Sequence, residues 1–245
     1  MEQILAIDIG ATNIKFCHVD AQGALLESIR RKPTPYPCSP ERLVALLSGL
    51  IFQSDATSVG VGFPGEFADG HVIRPGNLSR PGGVNTEVDP ELEEQWRGFA
   101  LQAALQTATG RDVRVVNDAK LAALGSCVGT GVELVLTLGT GLGLALCIDG
   151  ELQRVRDVGA APFENDMTYD QSIGERSRAH DERKWLGSLE RAIKNFCEEF
   201  GASLVHLAGG NARRVAPSHM TSLGCRVVIN GNEAPLRGAA RLFYS

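Results

Sequence analysis

At 245 residues the chain can bury a sizeable core, in one large domain or two small ones. Lys and Arg number 24 against 29 Asp and Glu, a net charge of −5 with no basic block, which argues against a nucleic-acid or membrane-surface partner. Hydrophobic residues at 43% and charged residues at 22% exclude a disordered chain, and no apolar run approaches the roughly 20 residues of a membrane span.

The first half opens with a predicted strand over 4–9, the loop Gly10-Ala11-Thr12-Asn13, and a second strand over 14–19. A third strand is expected over 25–31, and the four prolines of 32–40 impose an irregular connection. Apolar spacing of three and four, with Ser39 as N-cap, predicts a helix over 40–52. A buried strand over 58–63 runs into Pro64-Gly65-Glu66, a short strand follows at 71–73, and 74–89 reads as loop. One helix is expected over 91–109, then a strand over 113–116 ending at Asn117-Asp118. The second half repeats the plan: a helix over 119–128, a strand over 133–138, the loop Gly139-Thr140-Gly141, and a strand over 144–148. Residues 154–178 read as loop, 181–200 as a long amphipathic helix, 204–207 and 226–229 as strands, and 234–243 as a terminal helix.

IGATNIKFCHVD (9–20) lines up with LGTGLGLALCID (138–149), each a strand, a small-residue loop, a second strand and an Asp at a turn. Two such hairpins, each leading one half, fit a duplicated α/β unit, although strand hairpins also resemble one another by chance. Backbone amides beside glycine can close on phosphate oxygens. The chain has no G-x-x-x-x-G-K-[ST], and GTGLG leads into an alternating strand rather than a helix, so neither a P-loop nor a dinucleotide fingerprint fits. Strand, glycine loop and strand, used twice, is the phosphate grip of the actin-like ATPase and sugar-kinase architecture. Asp8, at the end of the first strand among isoleucines, could hold a water of Mg²⁺ or satisfy its own turn.

DIGATNIK, GVGFPGEF, RPGNL, VVNDAKLAALG, LTLGTGLGLALCIDG, LAGGN and NEAPLRGAARLF follow one another in this order. On these segments the chain resembles the ROK sugar kinases, and within them the short polyphosphate glucokinase group. The resemblance implies a two-lobed actin-like (ribonuclease H-like) α/β fold. Its small N-terminal lobe would span 1–117, with 232–245 packing back on it, and its larger C-terminal lobe 118–231. It further implies a phosphotransferase that uses ATP or polyphosphate, with Mg²⁺, to phosphorylate a hexose hydroxyl, glucose-like and at C6.

Asp118 would be the general base, an ionised carboxylate at pH 7, although an Asp opening a helix also suits an N-cap. Gly65, Asn77, Asn117 and Asp157 would bind the sugar beside Asp118, with a turn role as the alternative for Asn77. Asp8, Gly10, Thr12, Asn13, Lys15, Gly139, Thr140 and Gly141 would bind phosphate, Asp8 also holding the metal through water; Lys15 could equally be a solvated strand residue. Gly209, Gly210 and Asn211 would bind the nucleotide. Arg154, Arg156, Arg176, Arg178, Arg213 and Arg214 are candidates for a polyphosphate track or for solvated surface.

Three departures from the family pattern stand out. The family's E-x-G-H reads Asp157-Val158-Gly159-Ala160 here, with Glu164 or His180 as possible substitutes. The Cys-rich zinc motif of longer members is missing, so no zinc is expected. Ala11 takes the place of a loop glycine. The altered site admits a kinase-like sugar sensor, or a kinase for another hydroxylated metabolite, as alternatives. The start at the first strand, with neither a helix-turn-helix nor a secretory signal, and six dispersed cysteines lead us to expect no DNA binding and a cytoplasmic location. A homodimer is compatible with the resemblance.

Overall fold

The computed structural model describes residues 3–84, 86–156, 158–220 and 223–244. The chain divides into two units, Met1–Leu121 with Pro235–Ser245, and Ala122–Ala234. The first unit holds more of the chain. The divisions fall inside helices, because Leu121, Leu236 and Ala239 share one core with the first sheet.

In the first unit, β1 (Gln3–Ile9), β2 (Asn13–Asp20), β3 (Arg30–Pro33), β4 (Ser58–Phe63) and β7 (Asp112–Asn117) form a sheet in the order β3-β2-β1-β4-β7. Its first two pairings are antiparallel and the others parallel. Between β4 and β7 lies the ribbon of β5 (Glu66–Ala68) and β6 (His71–Arg74). Leu5, Ile7 and Ile9 project to one face, against Leu43 and Leu47 of α1 (Pro40–Ile51), Trp96 of α2 (Pro90–Trp96), and Leu101 and Leu105 of α3 (Leu101–Thr109). Ile4 and Ala6 project to the other. The period of two therefore buries both faces of β1, and Asp8 sits at the end of the even-numbered row.

The second unit repeats this topology. After α4 (Asp118–Leu124) come β8 (Val132–Leu138), β9 (Leu142–Ile148) and β10 (Glu151–Gln153). A small ribbon of β11 (Pro162–Glu164) and β12 (Met167–Thr168) follows, then α5 (Tyr169–Ile173), α6 (Glu175–His180) and α7 (Glu182–Phe200). The parallel strands β13 (Leu204–Ala208) and β14 (Arg226–Gly231) complete a sheet in the order β10-β9-β8-β13-β14, again two antiparallel and two parallel pairings. Trp185, Leu189, Ile193 and Phe196 of α7 cover one face, and Ala122, Ala123 and Ala234 the other. The chain then enters α8 (Ala234–Gly238) and ends in a 3-10 turn over Ala240–Leu242.

Several elements differ from expectation. The third strand is Arg30–Pro33, Leu25 making only an isolated bridge to Val19. The single helix over 91–109 is two, because Gly98 takes a φ of +71° between them. Within the predicted loop 154–178, residues 162–178 instead form two short strands and two short helices. Among the described residues no helix is long and apolar enough to cross a membrane.

Candidate functional site

In the first unit three ionisable side chains converge. Antiparallel register sets Lys15 opposite Asp8, and Lys15 Nζ donates to Asp8 Oδ2 at 2.9 Å. Lys15 is therefore ion-paired rather than solvated. Parallel register places Gly62 beside Asp8. A Cβ on Gly62 would lie 3.0 Å from Leu121 Cδ2, 3.4 Å from Asp118 Cα and 3.5 Å from Asp8 Oδ1. Its missing side chain lets the start of α4 settle against β4 with Asp118 next to Asp8.

Asp118 does not serve as the cap. Asn117 Oδ1 accepts from the backbone N–H of Ala119 at 3.0 Å and of Lys120 at 3.2 Å, which is the capping role. Asn117 Nδ2 donates to the Gly65 carbonyl at 2.8 Å and to Asp118 Oδ1 at 3.1 Å. Asp118 Oδ1 also accepts from Ala119 N at 2.8 Å. Loss of surrounding water, and next the Asp8 charge, push the Asp118 carboxyl up to about 7, against the opposing pull of the Ala119 amide and Lys15. Asp118 therefore holds its proton to higher pH than an unperturbed Asp would.

The first glycine loop is pinned from behind. Gly10 N donates to Asn13 O at 3.1 Å, and a Cβ on Gly10 would lie 2.9 Å from that oxygen. Thr34 Oγ1 donates to Gly10 O at 2.6 Å, Thr34 N to Thr12 O at 3.0 Å, and Tyr36 Oη to Ala11 O at 2.7 Å. Gly65 was expected to admit a sugar to the backbone. Here its bare Cα faces the Arg74–Gly76 backbone, where a Cβ would collide. That packing brings the Gly65 loop against the 3-10 turn Gly76–Ser79 that carries Asn77.

In the second unit the Gly139–Gly141 loop, the segment around Gly159 and the Gly209–Asn211 loop meet one another. Asp170 Oδ1 accepts from Leu142 N at 2.7 Å, and a Cβ on Gly141 or Gly159 would strike the Asp170 carboxylate. Asp170 N donates to Gly159 O at 2.9 Å, and Glu175 N to Gly139 O at 2.9 Å. Asn211 N donates to Leu138 O at 3.0 Å and Asn211 Nδ2 to Gly139 O at 3.2 Å. Gly209, at φ +86°, lies so near Leu138 that a Cβ would come 2.5 Å from its carbonyl oxygen. Asn232 Oδ1 is buried with no hydrogen-bond partner among the described residues, 3.9 Å from where a Gly210 Cβ would stand.

Some expected residues are not brought in. Asp157 lies outside the described residues. Glu164 accepts two bonds from Arg191, at 2.7 and 3.0 Å, and one from Ser188, so it is not a free substitute for the family's glutamate. Arg178 is committed to Glu175 through two short hydrogen bonds, whereas Arg156 is exposed, 3.8 Å from Glu199. Sequence reasoning missed Gly62, Thr34, Tyr36 and Asp170. Glycine in an apolar strand signals close approach of another element and could have found Gly62. The capping box Thr168–Gln171 could have found the helix carrying Asp170.

Residues 4–161 match the model of the ROK family. The chain belongs to that family. It is 31% identical over 155 residues to a beta-glucoside kinase of Klebsiella pneumoniae, covering 61% of this chain and 48% of the relative. The chain spans about half the length of the curated relatives it matches. Among solved structures it resembles the inorganic polyphosphate/ATP-glucomannokinase of Arthrobacter sp. strain KM, with a TM-score of 0.79, 28% identity and coverage of 99% of this chain and 98% of that one. A ROK family glucokinase from Streptomyces griseus in complex with glucose and AMPPNP gives a TM-score of 0.70 at 20% identity, covering 98% of each chain. The fold is the actin-like ATPase fold of these kinases.

Proposed function

We propose that the protein is a sugar kinase that moves the terminal phosphoryl group of ATP to a hexose hydroxyl, glucose-like and at C6, with Asp118 as general base. The observation that carries this reading is Asp118 itself: a carboxyl relieved of capping by Asn117, held beside Asp8, and raised to about 7. A base poised near the working pH accepts a proton readily and still exists in its ionised form. Asp118 takes the hydroxyl proton as that oxygen attacks phosphorus, and the bond to the leaving phosphate oxygen breaks. Asn117 and Asn77 orient the sugar. In the second unit, amides of the Gly139–Gly141 loop hold the donor's phosphates, and Gly209, Gly210 and Asn211 its nucleoside.

Asp8, a hard-oxygen ligand at the end of β1, would hold Mg²⁺ through water and leave the Asp118 carboxylate to take the proton. When bound, the ion supplies charge neutralisation at the phosphoryl group. The resemblance of LAGGN, which carries Gly209, Gly210 and Asn211, to the family's adenosine motif favours a nucleotide donor. The Arthrobacter kinase is named for both donors, which keeps polyphosphate as the second arm of the test.

The test follows sugar phosphate formed from glucose, mannose, N-acetylglucosamine and a β-glucoside, with Mg²⁺ and either ATP or polyphosphate. Turnover with ATP that falls at least about 1,000-fold in Asp118→Asn supports the reading. Sugar binding without turnover from either donor would instead favour the sensor, which Ala160 in the family's histidine position makes the second reading.

A further inference from the structure

Of the six cysteines, Cys17, Cys38, Cys127 and Cys147 are buried, while Cys197 and Cys225 keep exposed surface. Those two lie 28 positions apart, and Cys197 Sγ–H donates to Cys225 Sγ at 2.9 Å. The fold holds them together. Cys197 sits in the last turn of α7, where its carbonyl accepts from Ala202 N at 3.1 Å. Cys225 immediately precedes β14, whose Arg226 N donates to Ser203 O at 2.8 Å. Helix end and strand start are thus tied to the same three-residue connection before β13. The sulfurs need to close by only about 0.9 Å to reach the roughly 2.05 Å of a disulfide.

We propose that Cys197 and Cys225 are a reversible oxidation site, at which a hydroperoxide forms a disulfide joining the end of α7 to the start of β14. Cys197 is the donor of this pair and Cys225 the acceptor, so Cys225 is the sulfur that reacts first. Burial holds the Cys197 thiol up at about 12, which keeps its proton in place for that bond. The Cys225 thiolate attacks the O–O bond of hydrogen peroxide, forming a sulfenic acid and releasing hydroxide, which gains a proton to become water. The Cys197 sulfur then attacks the Cys225 sulfur, displacing hydroxide, which takes the Cys197 proton. Two thiols are oxidised, one peroxide is reduced, and two waters leave. A dithiol reductant reverses the change.

The intact chain is treated with stoichiometric hydrogen peroxide, denatured under non-reducing conditions and titrated for thiols. The expected result is a fall from six thiols to four, a mass loss of about 2 Da, and a cross-linked peptide pair carrying Cys197 and Cys225. The melting temperature should rise by about 5 °C or more, because the closed loop restricts the unfolded chain. Cys197→Ser should stop at a sulfenic acid on Cys225, trapped by dimedone, and Cys225→Ser should leave Cys197 unlabelled. Six thiols surviving, a cross-link through any other cysteine, or dimedone labelling of Cys197 in Cys225→Ser would overturn the proposal. None of these readouts depends on sugar turnover.

Discussion

Asp118→Asn should stabilise the ligand-free protein at alkaline pH and hardly at all in acid. Below about pH 4 the carboxyl is protonated in the folded and unfolded chain alike. Between about 4 and 7 the unfolded chain releases its proton and the folded chain keeps it, so stability falls as pH rises. Above 7 the fold holds an anion beside Asp8. The change from 3.8 to about 7 is worth at most about 4 kcal/mol, at roughly 1.4 kcal/mol per pH unit. That is a ceiling, because the side chain remains partly exposed and water screens its charge. Asparagine keeps Oδ1, which here accepts from Ala119 N and Asn117 Nδ2, so the hydrogen bonds survive and the charge alone is removed. Melting curves without Mg²⁺ or substrate at pH 5 and pH 8.5 are the assay. The variant should gain about 4 °C or more over wild type at pH 8.5 and much less at pH 5. An equal gain at both, or a larger one in acid, would refute the placing of Asp118 as a desolvated acid next to a second carboxylate.

Lys15→Met removes the cation that offsets Asp8 and Asp118, so the midpoint of the pH–rate profile should move up by about one unit; an unmoved midpoint would separate Lys15 from Asp118. Asp170→Ala should raise the donor KM about tenfold and leave the sugar KM unchanged, since the Leu142 amide loses its acceptor and the Gly139–Gly141 loop its backstop. Equal rises in both KM values would mean a general loss of structure instead. Glu133→Ala should cost about 3 kcal/mol in urea unfolding, because it strands the N–H groups of Val128 and Gly129 and the buried His206. A loss under about 1 kcal/mol would show that these donors find other partners.

Legibility in the sequence followed the length and regularity of the elements. The strand over 58–63, the Ser39-capped helix and the two echoing hairpins are carried by strong local patterns, and the matching strand orders of the two sheets bear out the echo. Residues 162–178 were read as loop because strands of two or three residues and helices of five or six complete no hydrophobic period. The helix over 91–109 was read through Gly98 because a glycine inside an apolar pattern does not announce a positive φ. The Asp8–Lys15 pair was within reach: once the loop 10–12 is accepted as a hairpin, the register sets the two residues opposite each other. Asp170 was not, since it acts 28 positions away from Leu142 through a contact that only tertiary structure makes.

The duplicated topology also locates what the two units do not share. In the aligned hairpins Gly10 corresponds to Gly139, so Asp8 falls opposite Thr137 and Lys15 opposite Leu144. The acid–lysine pair thus belongs to the first hairpin alone. The second loop has its carboxylate supplied from outside, by Asp170 of α5, and that oxygen is spent on the Leu142 amide. Thr34 and Tyr36 brace the first loop through its carbonyls, whereas Glu175 and Asn211 brace the second. One sheet plan has therefore been equipped in two ways. The first unit holds titratable acids close enough to perturb each other, which suits the proton transfer proposed for Asp118. The second surrounds a glycine loop with fixed partners, which suits the phosphate grip proposed for it. If the roles were reversed, removing Asp170 would move the pH–rate profile and removing Asp8 would act on donor binding alone.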